Sequence, residues 1–459
     1  MLLDLTAAEL AAAFATGQVS PVDVIDALGE RIAAVEPKIN AFYVLDLDAA
    51  RAAAGASEER WRSGAPHSPV DGIPVSVKEN IATRGVPVPL GTAATELVPA
   101  TTDAPPAARL REAGCVLFGK TTMPDFGMLS SGVSSFHGTT RNPWDLTRNP
   151  GGSSSGAAAA AASRLGPVHI GTDIGGSLRL PAGWTGLATL KPSLGRVPID
   201  PPYAGRVAGP IARSVGDVAL FMAVLSEPDV RDHMSLPTAD IAWTDLDTDV
   251  RSWRVGYLPT AGCGLPVADE VAASVRRVAD AFVAAGADVE EIAPFFTDQM
   301  LDDLELFWRV RAWVDFAAFP ADRQARVLPY IADWARSGAG TSGDVLMRCV
   351  NRLMEIRATT VAATAAYDVV LSPVAPIPAF DVDLPSPTSV ERPLQQIGFT
   401  APYNISEQPA AAINCGFTRD GLPIGVQLAG RRFDDLTVLR AAYWWEQQRP
   451  RDAVPSWPE

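Results

Sequence analysis

Cysteine and histidine are scarce in this chain of 459 residues, which holds only four of each. The cysteines are far apart and form no CxxC pair, so they predict neither a disulfide framework nor a zinc site. The histidines form no cluster that suits a catalytic metal. We therefore expect no metal and no cofactor, and four ordinary thiols in a reducing, cytoplasmic compartment.

Basic charge and long apolar runs are also in short supply. The chain has 38 Lys and Arg against 53 Asp and Glu, a net charge of −15. Such an acidic surface repels phosphate backbones, so we expect no nucleic-acid partner. No charge-free apolar run reaches ~18 residues, and the N-terminal residues lack a basic segment. A membrane span and a secretory signal are therefore not expected.

What the chain does contain is enough apolar sequence for a large core, at 47% of its residues. From about residue 70, short β-prone runs alternate with helical ones, which favours an α/β sheet covered by helices on both faces. Residues 297–366 read as helices broken at Gly338–Gly340, with clustered aromatic side chains. The predicted strands include Ile73–Val77, Val116–Phe118, Val168–Gly171, Arg254–Leu258, Val369–Ser372 and Ile424–Leu428, and the predicted helices Gly156–Arg164 and Ala268–Ala285.

Two short motifs suggest functions that their surroundings do not support. Gly114–Thr121 satisfies a phosphate-loop pattern, but its intervening residues are apolar and β-prone, so we predict a buried strand ending at Gly119. Gly152–Gly156 matches G-x-S-x-G, which should follow a hydrophobic strand and pair with a downstream histidine. The preceding residues are not strand-like, and His169 lies in an apolar run typical of a core histidine. A Ser-His-Asp enzyme is thus not favoured.

Several longer motifs are more informative about function than the two short ones. A glycine-serine turn at Gly151–Gly156 enters an alanine-rich helix, and GTDIGGSLRLP follows at Gly171–Pro181. Upstream, GIPVSVKEN occupies Gly72–Asn80, and downstream DGLPIGVQLAG occupies Asp420–Gly430. In this order the motifs resemble those of the amidase signature family nearly from end to end. The resemblance implies one large mixed β-sheet sandwiched between α-helices across residues 1–459, with the signature core at 70–200 and a helical cap at 297–366.

The resemblance also assigns roles to residues. It implies a catalytic triad of Lys78, Ser153 and Ser177, in which Ser177 is the nucleophile and Ser153 follows a cis peptide bond. The other implied residues are the oxyanion-hole amides of Ile174, Gly175, Gly176 and Ser177, the substrate contacts Gly127, Met128 and Leu129, and the supporting side chains Ser154, Thr172, Asp173 and Arg179.

The chemistry of these residue types agrees with the assignment. A lysine with a pKa of about 10.4 is protonated and cannot act as a base, but burial disfavours the ammonium form. Lys78 follows an apolar run that can bury its stem. A serine hydroxyl both donates and accepts, so Ser153 can relay a proton between Lys78 and Ser177.

We therefore expect hydrolysis of small or aryl amides, and of carbamates or esters by the same site, in a monomer or homodimer. Two alternatives remain open: a glutamine-hydrolysing subunit of a tRNA-dependent amidotransferase, and a non-catalytic binding protein. The former holds glutamine with acidic groups, and Leu394–Phe399 contains none. Glu407 stands where a small residue is common in the family, which leaves the shape and polarity of the nearby substrate region open but not the chemistry.

Overall fold

Residues 2–458 are described by a computed structural model. Its α-helices are α1 Ala7–Thr16, α2 Pro21–Ile39, α3 Leu47–Arg62, α4 Pro105–Glu112, α5 Ser155–Ala162, α6 Arg179–Thr185, α7 Val215–Leu225, α8 Asp269–Ala284, α9 Asp298–Ala317, α10 Ala321–Gln324, α11 Pro329–Arg336, α12 Gly343–Thr364, α13 Ala401–Ile405 and α14 Asp435–Gln448. None of these described helices is both long and apolar enough to cross a bilayer.

The strands are β1 Phe42–Leu45, β2 Pro74–Lys78, β3 Val116–Thr121, β4 Val133–Ser134, β5 Gly138–Thr139, β6 Val168–Asp173, β7 Ala188–Lys191, β8 Val207–Ala212, β9 Arg254–Tyr257, β10 Asp288–Glu291, β11 Val369–Pro373, β12 Ala410–Phe417 and β13 Pro423–Gly430. Eleven of them form one sheet in the order β1-β3-β2-β6-β8-β7-β12-β13-β11-β9-β10, and β4 pairs with β5.

The sheet is mixed, as the family resemblance implies. Strands β3, β2 and β6 run parallel, and so do β11, β9 and β10. Antiparallel pairs join these two parallel blocks through β8, β7, β12 and β13. The prediction of one mixed α/β sheet is confirmed.

Alternation along β2 decides which residues face the site. Val75 and Val77 belong to the largest apolar cluster, together with residues of α4, α7, α8 and α14. Successive side chains point to opposite faces of a strand, so Ser76 and Lys78 project from the other face, toward α5. Ser76 Oγ lies 2.7 Å from His169 Nδ1 there.

Helix α5 packs closely on that face because its residues are small. All eight of its residues are buried, and six are alanines. At Gly171 in β6, a Cβ would lie 2.6 Å from Ser154 Oγ. The glycine therefore lets the start of α5 approach the sheet at the point where the site forms.

The helices of residues 297–366 lie beside this arrangement as α9–α12. Their buried side chains, including Trp308, Phe316 and Trp334, share an apolar cluster with Leu180 and Trp184 of α6. Asp125 is buried and accepts a hydrogen bond from the Leu328 backbone at 3.0 Å. The helical segment is thus fixed against the loop that follows β3.

The segment that matches a phosphate-loop pattern and the histidine considered for a Ser-His-Asp triad both have the structures predicted from their apolar surroundings. Gly114–Thr121 leads into β3, which continues two residues past the predicted end at Gly119 because Lys120 and Thr121 still pair with β1 and β2. His169 is a buried core histidine, and burial lowers its pKa to about 3.

Candidate active site

A buried lysine and two serines lie at the centre of the site. Lys78 is fully buried at the end of β2, and its Nζ donates to Ser153 Oγ at 2.8 Å. The same Nζ lies 3.2 Å from both Ser154 Oγ and Thr172 Oγ1. Every neighbour within this distance is a neutral hydroxyl, so the lysine has no direct carboxylate partner there.

This setting lowers the pKa of Lys78 to about 7. Burial is the main cause, and the positive charge of Arg206 adds to it. Asp173 and Glu79 act in the opposite direction but do not reverse the shift. A substantial fraction of Lys78 is therefore neutral near pH 7, as a base requires.

The peptide bond between Gly152 and Ser153 is cis. It lies in the turn before α5, and the Ser154 backbone donates to the Ser177 carbonyl at 3.2 Å. This hydrogen bond ties the turn at 151–154 directly to the loop that holds Ser177. Ser153 and Ser177 both line one cavity.

The loop between β6 and α6 presents backbone N–H groups. Those of Ile174, Gly175 and Ser177 make no hydrogen bond within residues 2–458. The Gly176 N–H instead donates to Asp173 Oδ1 at 2.8 Å. This donor is occupied, which removes Gly176 from the predicted set of free amides. Gly176 has φ +133°, a conformation that L side chains rarely adopt.

A buried ion pair holds this loop in place. Arg179 contacts Asp173 through Nε and Nη2 at 3.0 Å, and both side chains are fully buried. Arg179 also donates to Gln427 Oε1 at 2.7 Å and to Asn404 Oδ1 at 2.6 Å. Despite burial, the Arg179 guanidinium keeps the pKa of Asp173 well below its usual range. The hydrogen bonds of Arg179 thus connect the β6–α6 loop to Asn404 of α13 and Gln427 of β13.

The cavity in front of the serines has a volume of about 510 Å³. Its lining is mostly apolar and includes all three predicted substrate contacts, Gly127, Met128 and Leu129. Trp308 of α9 and Trp334 of α11 also line it. Two of the clustered aromatics therefore face the cavity, whereas Phe316 packs among the helices.

Glu407 is not among the residues that line the cavity. Its carboxylate binds Arg357 and Arg432, so it links α12 to the segment after β13. These two arginines hold the Glu407 carboxylate away from the residues that line the cavity.

A family model described as Amidase matches residues 23–439. The chain belongs to the amidase family. The match covers the motifs from Gly72 to Gly430, and it makes the chain a hydrolase of carbon–nitrogen bonds other than peptide bonds.

Relatives and solved structures agree with this membership. A glutamyl-tRNA(Gln) amidotransferase subunit of Myxococcus xanthus is 34% identical over 97% of this amidase-family chain and 98% of its own length. An acylamidase of Rhodococcus erythropolis is 32% identical, with 97% and 96% covered. The structure of a bacterial aryl acylamidase superposes with a TM-score of 0.89 at 28% identity, covering 98% of this chain and 97% of that one.

Proposed function

We propose that this amidase-family chain hydrolyses small or aryl amides through an acyl-enzyme on Ser177. The contact that carries the proposal is the 2.8 Å hydrogen bond between Lys78 Nζ and Ser153 Oγ. It joins a buried lysine with a lowered pKa to the cavity that Ser177 lines. The aryl acylamidase likeness and the apolar cavity support the choice of substrate.

In the proposed reaction, neutral Lys78 takes a proton from Ser153 as Ser153 takes one from Ser177. The Ser177 oxygen attacks the amide carbon, and the free N–H groups of Ile174, Gly175 and Ser177 stabilise the developing oxyanion. The C–N bond then breaks as the relay returns a proton to the leaving amine. Water, activated by the same relay, attacks the acyl-enzyme and releases the acid.

Carbamates and aryl esters present the same planar carbonyl, so the proposed site extends to them. A panel of anilides, primary amides, carbamates and aryl esters of matched size determines which class is preferred. Anilides are expected to be turned over, and activity confined to esters would contradict the proposed substrate class.

Ser177→Ala is expected to reduce kcat to below about a thousandth of the wild-type value, because the nucleophile is lost. A fluorophosphonate should label the wild-type protein on the peptide carrying Ser177. Ser154→Ala is the matched control for labelling, since Ser154 is a buried neighbour of the same type. An adduct mapped to Ser154 would show that the nucleophile is misassigned.

The alternative of a glutamine-hydrolysing role draws support from the relatives that are glutamyl-tRNA(Gln) amidotransferase subunits. Against it, the segment that follows α12 contributes apolar Leu394 and Ile397 to the cavity and no carboxylate. Ammonia release from glutamine that depends on added partner proteins would favour this alternative.

A further inference from the structure

Two arginines line the cavity that Ser153 and Ser177 also line. Arg206 precedes β8 on the sheet side, and Arg311 lies on α9 of the helical segment. Neither forms an ion pair within 4.0 Å among residues 2–458. Neither arginine therefore has a direct ion pair in the described chain, and an anionic group of a ligand in the cavity is placed to form one.

Local contacts hold both guanidinium groups in place. Arg206 Nη1 donates to the Pro201 carbonyl at 3.0 Å, which leaves its other N–H groups without an acceptor in the described chain. Arg311 stacks on the ring of Tyr203, with Cζ 3.6 Å from the ring centroid. Stacking on an aromatic face orients the planar guanidinium group and leaves the N–H groups at its edge available to an oxygen acceptor.

Burial and mutual repulsion make these charges costly as they stand. Burial and then the charge of Arg311 lower the pKa of Arg206 to about 10, and the smaller opposing effect of Asp200 does not reverse the shift. Guanidinium groups bind carboxylates in a planar, two-pronged geometry. A carboxylate placed between the two arginines would offset one of the two positive charges and weaken the repulsion between them.

Two carboxylates also line the cavity, and they have to be weighed. Asp200 and Asp315 are both exposed to solvent, whereas Arg206 and Arg311 are partly buried. Asp315 lies one helical turn after Arg311 and still makes no ion pair with it within 4.0 Å. Because exposed charges are well screened by water, the less exposed arginines dominate the interaction with a bound ligand.

We propose that Arg206 and Arg311 bind a carboxylate group of the substrate, remote from the bond that is cleaved. The substrate class is then an amide with an apolar or aryl body and one anionic end. The apolar part lies against Met128, Leu129 and Trp308, and the carboxylate lies between the two arginines. This inference rests on the proposed function, because it places the scissile amide at Ser177.

Matched pairs of amides test the proposal. Succinanilate is compared with neutral butyranilide for the acyl side, and 4-acetamidobenzoate with 4-methylacetanilide for the amine side. The wild-type protein is expected to prefer the carboxylate member of at least one pair in kcat/KM by about 10- to 100-fold, the range for a charge-assisted hydrogen bond. Arg206→Gln and Arg311→Gln should each reduce that preference about tenfold or more.

Arg348→Gln is the matched control, since Arg348 is an exposed arginine of α12 that does not line the cavity. It changes the net charge equally and should leave the preference unchanged within about twofold. Dissociation constants measured by calorimetry on the Ser177→Ala protein repeat the comparison without turnover. They separate this inference from the proposed function, which fails if the wild-type protein hydrolyses none of the four anilides.

Equal kcat/KM values and equal dissociation constants within both pairs would overturn the proposal. So would a preference for 4-aminomethylacetanilide, whose cation would indicate binding by Asp200 and Asp315. A loss that is the same for charged and neutral members in both arginine variants would show that these side chains only support the cavity wall.

Discussion

At the scale of single residues, the proposed role of Lys78 predicts how activity depends on pH. If it is the base, only its neutral form is active, so activity should rise with pH through its pKa of about 7. An unperturbed lysine would place the rising limb of the pH profile near pH 10.4. The measurement is a pH profile of kcat/KM on a neutral anilide, and a limb near the unperturbed value would contradict the role.

Lys78→Ala removes the proposed base and should slow a base-dependent step by ~10²–10⁴-fold. Amides should lose more than esters, because an amine leaving group needs a proton from the relay and a phenoxide leaves without one. The ratio of kcat/KM for matched amides and esters measures the difference. An equal loss for both would indicate that Lys78 supports the fold and does not transfer protons.

Arg206→Gln tests the electrostatic setting of the same lysine. The positive charge of Arg206 lowers the pKa of Lys78, so its removal should raise that pKa and move the limb to higher pH. Arg206→Lys keeps the charge and is the control, with the limb near its wild-type position. If the rising limb of the pH profile stays in place in Arg206→Gln, the charge of Arg206 does not contribute to the lowered pKa of Lys78.

The sequence identified the residues that stand in recognisable motifs and missed those that do not. Lys78, Ser153 and Ser177 lie in long family-like strips, and the structure brings Lys78 and Ser153 into contact. Arg206 and Arg311 stand in no motif, and only the folding of α9 over the sheet brings them to one cavity. From sequence alone, a charged side chain in a helix is interpreted as part of a solvent-exposed face, because its tertiary neighbours are not known.

At the scale of elements, the strands with β-branched residues were predictable and the small-residue strands were not. Pro74–Lys78 and Val369–Pro373 match their predictions to within a residue or two at each end. Strand β8, with the sequence VAGPIA, was not predicted, since glycine and proline disfavour strands. At Gly209 a Cβ would lie 2.3 Å from the Leu190 carbonyl, so close backbone packing selects the residue.

The buried ion pair of Arg179 and Asp173 joins the β6–α6 loop to α13 and β13. Arg179→Met would leave the Asp173 carboxylate buried and unpaired, and should lower the free energy of unfolding by about 3–5 kcal/mol. Arg251→Met, in an exposed pair with Asp249, should cost no more than about 1 kcal/mol. Urea unfolding of both variants measures the difference, and equal losses would contradict a structural role for the buried pair.

At the scale of the whole molecule, the scarcity of histidine and cysteine leads us to expect a reaction that needs no metal. The proposed reaction uses lysine and serine side chains, and residues 2–458 contain no group of three or more His, Cys, Asp or Glu placed to hold a metal. Exhaustive EDTA treatment should therefore leave amidase activity unchanged. A loss of activity that added zinc restores would overturn the mechanism.

The connection from Arg179 to Asn404 spans 225 residues of sequence, and this has a consequence for biosynthesis. A ribosome adding about 5–20 residues per second needs roughly 10–45 s to supply Asn404 after Arg179. During that interval the nascent polypeptide holds the loop that carries Ser177 without the side-chain amides of Asn404 and Gln427 that bind Arg179. Translation must therefore reach the C-terminal strands before the enzyme can become active, and stalled or proteolysed fragments should be unable to cleave substrate.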